Sequence, residues 1–272
     1  MGLPDRSTAD LPAPGDDFVW RASPAGPALV CRALEPYASH LFTTRAWRLG
    51  TAVADEREAG WRDVADALEV DASHFARAHQ VHGAAVVVRR RGDALVGSEP
   101  PPDADILVSN DPSVALAVQT ADCVPLLMAD RRTRVVAAAH AGWRGLAAGV
   151  PGVAVRALHD EFGANPDDLI VAIGPSISAA NYEVDAVVRS AFATAGATDA
   201  QLARWFLAGR RPERWQFDGW RAAADQLEAA GVRRANIHIA GLCTWADPQL
   251  CSYRRDGKGA GRIAGAIRAR SI

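Results

Sequence analysis

The sequence predicts an α+β protein, a single layered domain in which helices flank mixed β-sheets. Strand-length apolar runs and helical stretches alternate irregularly along the 272 residues, and several strand-like runs are grouped in the middle. No linker or internal repeat divides the chain convincingly. We therefore predict a flexible lead-in over residues 1–17, which are rich in Pro, Asp and Gly, and one domain over residues 18–272.

The first half of the chain is predicted to be mostly β. PALVCRAL (27–34) and the β-branched run AAVVVRR (84–90) predict strands, and the glycines and prolines of 92–105 predict a loop. Between the two strands, Asp55 to Leu68 has acidic residues at its front and apolar residues at helical spacing, which predicts a helix. VALAVQT (114–120), CVPLLMA (123–129) and RVVAAAH (134–140) predict three successive strands.

The second half alternates helices with strands. A helix is predicted from AGWRG to HDEFG (141–163), and Pro151–Gly152 should kink or restart it. LIVAIGP (169–175) and NIHIAGL (236–242) predict strands, and the stretches 183–196, 201–209 and 219–231 predict helices. The basic, glycine-rich loop SYRRDGKGAGRIAG (252–265) precedes a last short element.

Composition and charge narrow the range of partners. With 49% apolar and 23% charged residues, the chain has the composition of an ordinary globular protein, and its formal charge of −2 gives no general attraction to nucleic acid or anionic membranes. It has neither a long apolar run nor a secretory signal at its start. Its four cysteines are sparse. We therefore expect a cytoplasmic protein with reduced thiols that binds no nucleic acid and no membrane.

Three short motifs carry side chains suited to a metal ion. HQVHG (79–83) contains two histidines, and their spacing on a strand would point only one of them into a site. TADCVP (120–125) places Cys123 between two apolar runs, where functional side chains are often displayed. His140 ends the predicted strand before AGWRG. Two imidazoles and a thiolate form a three-ligand set with one open position, as in catalytic zinc sites. Taken singly, these residues also fit a surface histidine, an inert buried thiol and a helix-capping histidine, so chemistry alone leaves the metal site open.

The motifs HQVHG, TADCVPLL, VVAAAHAGWRGLAAGV, IGPSI, NYEV and SYRRDGKGAGR occur in this order and together resemble the YfiH family. Its members are also called laccase-domain proteins, polyphenol oxidoreductases and peptidoglycan editing factors. The resemblance implies a YfiH-like catalytic domain with one zinc ion bound by His82, Cys123 and His140. It also implies purine nucleoside phosphorylase activity, with adenosine deaminase and methylthioadenosine phosphorylase activity in the same site.

Copper is expected less than zinc. A blue-copper centre uses two His, one Cys and often a weak axial Met, but Met128 should leave the opposite face of the strand from Cys123. The multicopper cluster of a laccase needs more histidines than the seven in this chain.

Phosphorolysis requires cations for the phosphate and a surface for the purine, so we expect a small-molecule nucleoside and phosphate as partners. Guanidinium groups match phosphate oxygens, although each cation taken singly also fits a solvated surface position. The candidate phosphate contacts are Arg45, Arg144, Arg254, Arg255 and Lys258. Tyr182 is a candidate to stack on the base, or else a core aromatic.

Two further roles are left open. Asp122 is a candidate proton carrier for deamination, or else it orients a metal ligand. Cys123, with His140 as its base, is alternatively the nucleophile of a cysteine-type hydrolase acting on cell-wall precursors. Besides the phosphorylase and the hydrolase, a third function is open: a metal-containing binding or scaffold protein without catalytic activity.

Overall fold

The computed structural model describes residues 11–93 and 101–271. Residues 1–10 of the predicted lead-in, and residues 94–100 of the predicted proline loop, lie outside the described residues. Within the lead-in, the Gly15 N–H donates a hydrogen bond to the carbonyl oxygen of Ala240 at 2.9 Å. Asp17 lies 2.7 Å from Nδ1 of His238.

The elements follow one another along the chain. The strands are β1 (Phe18–Arg21), β2 (Ala28–Cys31), β3 (Ala38–Thr43), β4 (Phe75–Ala76), β5 (Val86–Arg89), β6 (Ile106–Ser109), β7 (Ala115–Thr120), β8 (Val124–Asp130), β9 (Val136–Ala141), β10 (Leu169–Ile173), β11 (Glu183–Asp185), β12 (Phe206–Ala208), β13 (Arg214–Phe217), β14 (Ile237–Ile239) and β15 (Ile263–Ala269). The α-helices are α1 (Ala54–Ala67), α2 (Trp143–Ala147), α3 (Val150–Phe162), α4 (Ala186–Thr194), α5 (Asp199–Trp205), α6 (Gly219–Ala229) and α7 (Tyr253–Asp256).

Two mixed sheets form the centre of the domain. The first has the order β1-β2-β3-β15-β7-β4 and the second has the order β14-β10-β8-β9-β6-β5. Each sheet is antiparallel except at edges: β4 runs parallel to β7, β5 to β6 and β14 to β10. A small antiparallel sheet, β11-β13-β12, lies apart from both. The predicted α+β class with mixed sheets is confirmed.

The two large sheets pack against each other, and helices cover their outer faces. Phe42 and Leu116 of the first sheet share one buried cluster with Leu127 of the second. Helix α1 covers the outer face of the first sheet, and α3 and α6 cover that of the second. The inner strands are thus buried on both faces, which explains why β8 and β9 are continuous apolar runs without alternation.

Several predicted elements differ from the structure. The helix predicted over 201–209 is wrong in its second half, because α5 ends at Trp205 and Phe206–Ala208 pairs with β13 instead. The ring of Phe206 stacks on Phe217 at 4.7 Å between centroids, and this core contact overrides the local helical pattern. The predicted last short element is the seven-residue β15, in the middle of the first sheet.

Other predictions hold in outline but not in detail. The helix predicted over 141–163 restarts as expected: α2 ends at Ala147, and α3 begins at Val150 with Pro151 in its first turn. The three central strands exist, but β7 joins the first sheet while β8 and β9 pair in the second. No helix within the described part of the chain has the length and apolarity needed to cross a bilayer.

Candidate metal centre

Three segments distant in sequence bring His82, Cys123 and His140 together. His82 lies in the loop before β5, Cys123 in the connection between β7 and β8, and His140 in β9, paired with Pro125 of β8. The ligand atoms of these three side chains all lie within 4.8 Å of one another. The two imidazole rings are nearly perpendicular, at 81° and 4.9 Å between centroids. The predicted ligand set is therefore a spatial cluster.

The backbone is unusual at two points of this cluster. His82 has φ 61° and Asp122, next to Cys123, has φ 90°. Residues other than glycine rarely adopt positive φ, and such strained positions concentrate at functional sites.

A buried carboxylate, which the sequence analysis missed, holds two of the ligands in place. Oδ1 of Asp105 lies 2.7 Å from Nδ1 of His140 and also accepts the backbone N–H of His82 at 3.1 Å. Oδ2 accepts the N–H groups of Val81 and Gly83 at 3.2 and 2.7 Å. Because Nδ1 of His140 is engaged by Asp105, Nε2 is the atom left for the centre. The available signal was an acidic residue directly before the apolar residues 106–108 of β6, where an unpaired charge would be costly.

The electrostatics of the cluster favour a thiolate. Burial opposes ionisation of Cys123, but the charge of His140 and hydrogen bonds from His140 and His82 lower the pKa of Cys123 to about 6. Burial likewise disfavours the charged form of His140, but the Cys123 thiolate and the bond to Asp105 raise the pKa of His140 to about 9. The thiolate is the form in which cysteine binds metals.

Gly142 makes room for the ligands. A Cβ atom at this position would lie 2.9 Å from Sγ of Cys123 and 2.9 Å from Cδ2 of His82. Two imidazoles and a thiolate, with space for one more ligand, fit a tetrahedral zinc ion better than they fit hard cations such as Mg²⁺ or Ca²⁺.

A cavity of about 590 Å³ opens beside the cluster. The three residues of the cluster line this cavity, together with four other predicted site residues: Asp122, Arg144, Tyr182 and Arg254. Sequence reasoning missed several other lining residues: His79, Gln80, Trp143, Tyr253 and Arg262. Most of these belong to motifs that the sequence analysis quoted, but their convergence depends on strand pairing.

Asp122 links the connection between β7 and β8, which carries Cys123, to the basic C-terminal loop. Its Oδ1 accepts the hydroxyl of Thr244 at 2.6 Å, and its Oδ2 accepts the backbone N–H of Arg254 at 2.6 Å. Both carboxylate oxygens are therefore already engaged by protein donors, and Arg254 is held at the cavity wall.

Two cation–aromatic pairs form part of the cavity wall. The guanidinium of Arg254 lies 5.0 Å from the centroid of the Tyr182 ring and donates to the Glu183 carbonyl. The guanidinium of Arg144 lies 4.2 Å from the centroid of the Trp143 ring. Burial and the nearby Cys123 charge raise the pKa of Tyr182, so its hydroxyl stays protonated.

The other three predicted phosphate contacts do not line this cavity. Arg45 and Lys258 line a second cavity of about 510 Å³, and Arg45 is paired with Asp256 at 2.5 Å. The Arg255 guanidinium binds Asp256 and donates to four carbonyl oxygens, those of Thr244, Trp245, Asp247 and Leu250. Arg255 therefore braces the loop that carries Arg254.

Comparisons with known proteins agree with this arrangement. The family described as multi-copper polyphenol oxidoreductase laccase matches residues 42–270. A relative named purine nucleoside phosphorylase YfiH, from Escherichia coli, is 36% identical over 189 residues, which cover 69% of this chain and 71% of the relative. This chain belongs to the YfiH family. The resemblance seen in the sequence motifs is thus confirmed.

Further members of the YfiH family support the assignment. A purine nucleoside phosphorylase of Pseudomonas aeruginosa is 41% identical over 69% of this chain and 71% of its own, and one of Deinococcus radiodurans is 36% identical over 82% and 86%. Among solved structures, the hypothetical protein YfiH of Bacillus licheniformis has a TM-score of 0.83 at 25% identity, covering 92% of this chain and 99% of its own. YlmD of Geobacillus stearothermophilus has a TM-score of 0.83 at 26% identity, covering 93% and 100%.

The family description refers to copper, whereas the named relatives are phosphorylases. The geometry gives no support for a blue-copper ligand set, because Met128 is fully buried in the core and pairs with Ala137, three residues along β9 from His140. Three residues of a strand span roughly 10 Å, which is beyond the length of any axial bond.

Proposed function

We propose that this YfiH-family protein is a zinc-dependent purine nucleoside phosphorylase that also deaminates adenosine and phosphorolyses methylthioadenosine. The observation that carries the proposal is the His82, Cys123 and His140 cluster beside a cavity lined by three arginines. The relatives named purine nucleoside phosphorylase support the phosphorolysis of purine nucleosides. Its partners would be a small-molecule nucleoside and phosphate. A cytoplasmic location, without nucleic-acid or membrane binding, stays a prediction.

Zinc is the metal that the ligands favour. His82 and His140 supply imidazole nitrogens and Cys123 supplies a thiolate, the mixed N/S set that zinc accepts readily. When bound, the ion supplies Lewis acidity at its free coordination position. Asp105 engages Nδ1 of His140 and so leaves Nε2 to bind the ion.

The cavity has suitable groups for both substrates. Arg144, Arg254 and Arg262 line it and offer charge-assisted hydrogen bonds to phosphate. Trp143 and Tyr253 offer aromatic surface for a purine, and the Tyr253 side chain is exposed. A volume of about 590 Å³ lies within the range of small-molecule sites.

The role of Asp122 follows from its contacts. Both oxygens already accept short hydrogen bonds, from Thr244 and from the Arg254 backbone. We therefore do not favour the proton carrier. The contacts also differ from the other role that the sequence left open, the orientation of a metal ligand, because they position Arg254. Asp122 thus places Arg254 where it can bind phosphate.

Product analysis tests the proposal. Purified, zinc-loaded protein should convert adenosine and phosphate to adenine and ribose 1-phosphate, and should form inosine from adenosine without phosphate. Phosphorolysis and deamination should both be lost in the His82→Gln variant. Both should persist in His74→Gln, because His74 is bonded to Ser73 and does not line the cavity. A zinc-loaded protein that forms neither product from any purine nucleoside would refute the proposal.

One observation favours a second function. Asp105, His140 and Cys123 form a carboxylate–imidazole–thiolate series like that of cysteine hydrolases. The corresponding candidate is a hydrolase or editing factor acting on cell-wall precursors. Alkylation separates the two, because a zinc-bound thiolate resists iodoacetamide whereas a free nucleophile reacts. Zinc-free protein that is alkylated at Cys123 and thereby loses hydrolysis of a peptidoglycan precursor would support the hydrolase.

A further inference from the structure

Phosphorolysis transfers a proton as well as a sugar. The role inferred below for a cavity residue rests on the proposed phosphorolysis. The bond from ribose C1′ to purine N9 breaks, and a bond from C1′ to an oxygen of hydrogen phosphate forms. The phosphate proton cannot remain on the ester dianion, and the departing purine anion must gain one. A group in the cavity that accepts and returns a proton would balance both changes.

Most polar groups of the cavity are unsuited to this transfer. The three metal-binding side chains are committed to the ion. The carboxylate oxygens of Asp122 both accept hydrogen bonds from the protein. Arginine does not release its proton in proteins, and burial raises the pKa of Tyr182 above its ordinary value. His79 and the phenol of Tyr253 remain among the described lining residues.

His79 is held in the manner of an acid–base histidine. Its Nδ1 lies 2.7 Å from Oδ1 of Asp103. The backbone fixes the pair, since the His79 N–H donates to the Pro102 carbonyl at 2.9 Å and the Ala104 N–H donates to the His79 carbonyl at 3.1 Å. With Nδ1 occupied, Nε2 is the nitrogen available to a ligand, and it has no hydrogen-bond partner within the described parts of the chain.

The motif Asp103-Ala-Asp105 supplies a carboxylate to each of two histidines that line the cavity, His79 and His140. Asp105 is fully buried and holds the metal-binding His140, whereas the side chains of Asp103 and His79 are 71% and 69% exposed. The exposed pair is accessible to substrate and solvent, whereas Asp105 is not. The two aspartates thus serve different tasks.

We propose that His79, oriented by Asp103, is a catalytic residue that takes the proton of hydrogen phosphate and delivers it to the departing purine. Imidazole gains and loses a proton readily near neutral pH, as this transfer requires. His79 lines the same cavity as Gln80 and the His82, Cys123 and His140 cluster, so its ring would contact a nucleoside and phosphate bound there.

The test compares two leaving groups. Inosine must receive a proton on its purine as the bond breaks. The cation 7-methylinosine instead releases a neutral base that needs no proton, and the phosphate proton then passes to solvent after the bond to C1′ has formed. For His79→Gln we expect kcat on inosine to fall by about 10²–10⁴-fold and kcat on 7-methylinosine to fall less than about 10-fold. Asp103→Asn should show the same selectivity with a smaller loss, and His74→Gln should show none.

The outcomes separate the possible failures. Equal losses on both nucleosides, or no loss on inosine, would overturn the role of His79. A selective loss in Tyr253→Phe, with His79→Gln unaffected, would assign the transfer to the phenol and would also overturn it. Wild-type protein that phosphorolyses neither nucleoside would refute the proposed function itself. Zinc content and circular dichroism of each variant confirm that the site and fold are intact.

Discussion

Oδ1 of Asp105 bonds Nδ1 of His140 at 2.7 Å and the backbone N–H of His82 at 3.1 Å. One fully buried oxygen atom therefore sets the direction of an imidazole on β9 and the path of the loop that carries the other imidazole. The geometry of two proposed zinc ligands depends on a residue that does not touch the metal.

Substituting Asp105 by Asn should weaken metal binding without removing a ligand. The amide cannot carry the charge that stabilises the His140 N–H and the three backbone N–H groups, so zinc affinity should fall about 10–100-fold. Competition with a chromophoric chelator measures this. Asp103→Asn is the matched control, because Asp103 bonds His79 and not a metal ligand, and its zinc affinity should equal that of the wild type.

Gly142→Ala should disrupt the centre sterically. The added Cβ would lie 2.9 Å from both the Cys123 sulfur and the His82 ring, which is closer than such contacts occur, so the ligands must separate. We expect purified Gly142→Ala to contain much less than one zinc per chain by elemental analysis. Gly259→Ala places its Cβ in open space and should retain full zinc content. Full occupancy in Gly142→Ala would contradict this geometry.

Arg144 and Arg45, both predicted from the sequence as phosphate contacts, should affect phosphate binding differently. Arg144→Gln should raise KM for phosphate about 10-fold, the value of one charge-assisted hydrogen bond, because Arg144 lines the cavity. Arg45→Gln should leave this KM unchanged, since Arg45 lines the second cavity and pairs with Asp256. Steady-state kinetics with varied phosphate distinguish them, and a large KM effect in Arg45→Gln would show that both cavities serve the reaction.

Substituting Arg255 by Gln should lower the stability of the folded protein. Its guanidinium supports four loop carbonyls and Asp256, and the shorter amide cannot replace these bonds. We expect the free energy of unfolding to fall by about 2–3 kcal/mol, measured by urea denaturation. An unchanged denaturation midpoint would mean that the loop does not depend on this brace.

His40 should make stability depend on pH. Burial lowers the pKa of His40 from 6.5 to about 4, so between these values the unfolded chain binds the proton that the folded chain excludes. Stability is therefore full above pH 6.5 and declines as the pH falls toward 4, by about 2 kcal/mol between pH 7 and pH 5. The amide of a His40→Gln variant can also bond the Cys31 N–H and the Ala38 carbonyl. Urea denaturation of this variant at pH 7 and pH 5 should therefore show a loss of unfolding free energy that is smaller by about 2 kcal/mol.

The sequence predicted the metal set because each ligand stands in a distinct local motif, and the motifs of the YfiH family span most of the domain. Asp105 was missed because its partners depend on the pairing of β6 with β9, where Ile106 lies opposite Ala139. The bracing contacts of Arg255 were not predicted for a related reason: a loop cation bonded to carbonyls of its own loop has the same sequence signature as one that faces a ligand.

The fold was predictable in class but not in topology. Strands of strongly apolar residues such as β8 were identified, whereas β15 was not recognised as a full strand because its glycine and alanines have weak β propensity. Tertiary pairing on both sides, with Leu41 and Ala117 opposite Ala266, makes it a strand. Such pairing is not visible in local sequence.

The position of β15 between β3 and β7 also affects when the protein can mature during synthesis. Until the ribosome has translated residues 263–269, β3 and β7 lack the partner that joins them, and β7 leads directly into the Cys123 connection. Nascent chains should therefore acquire the proposed zinc ion only after residues 263–269 have left the exit tunnel.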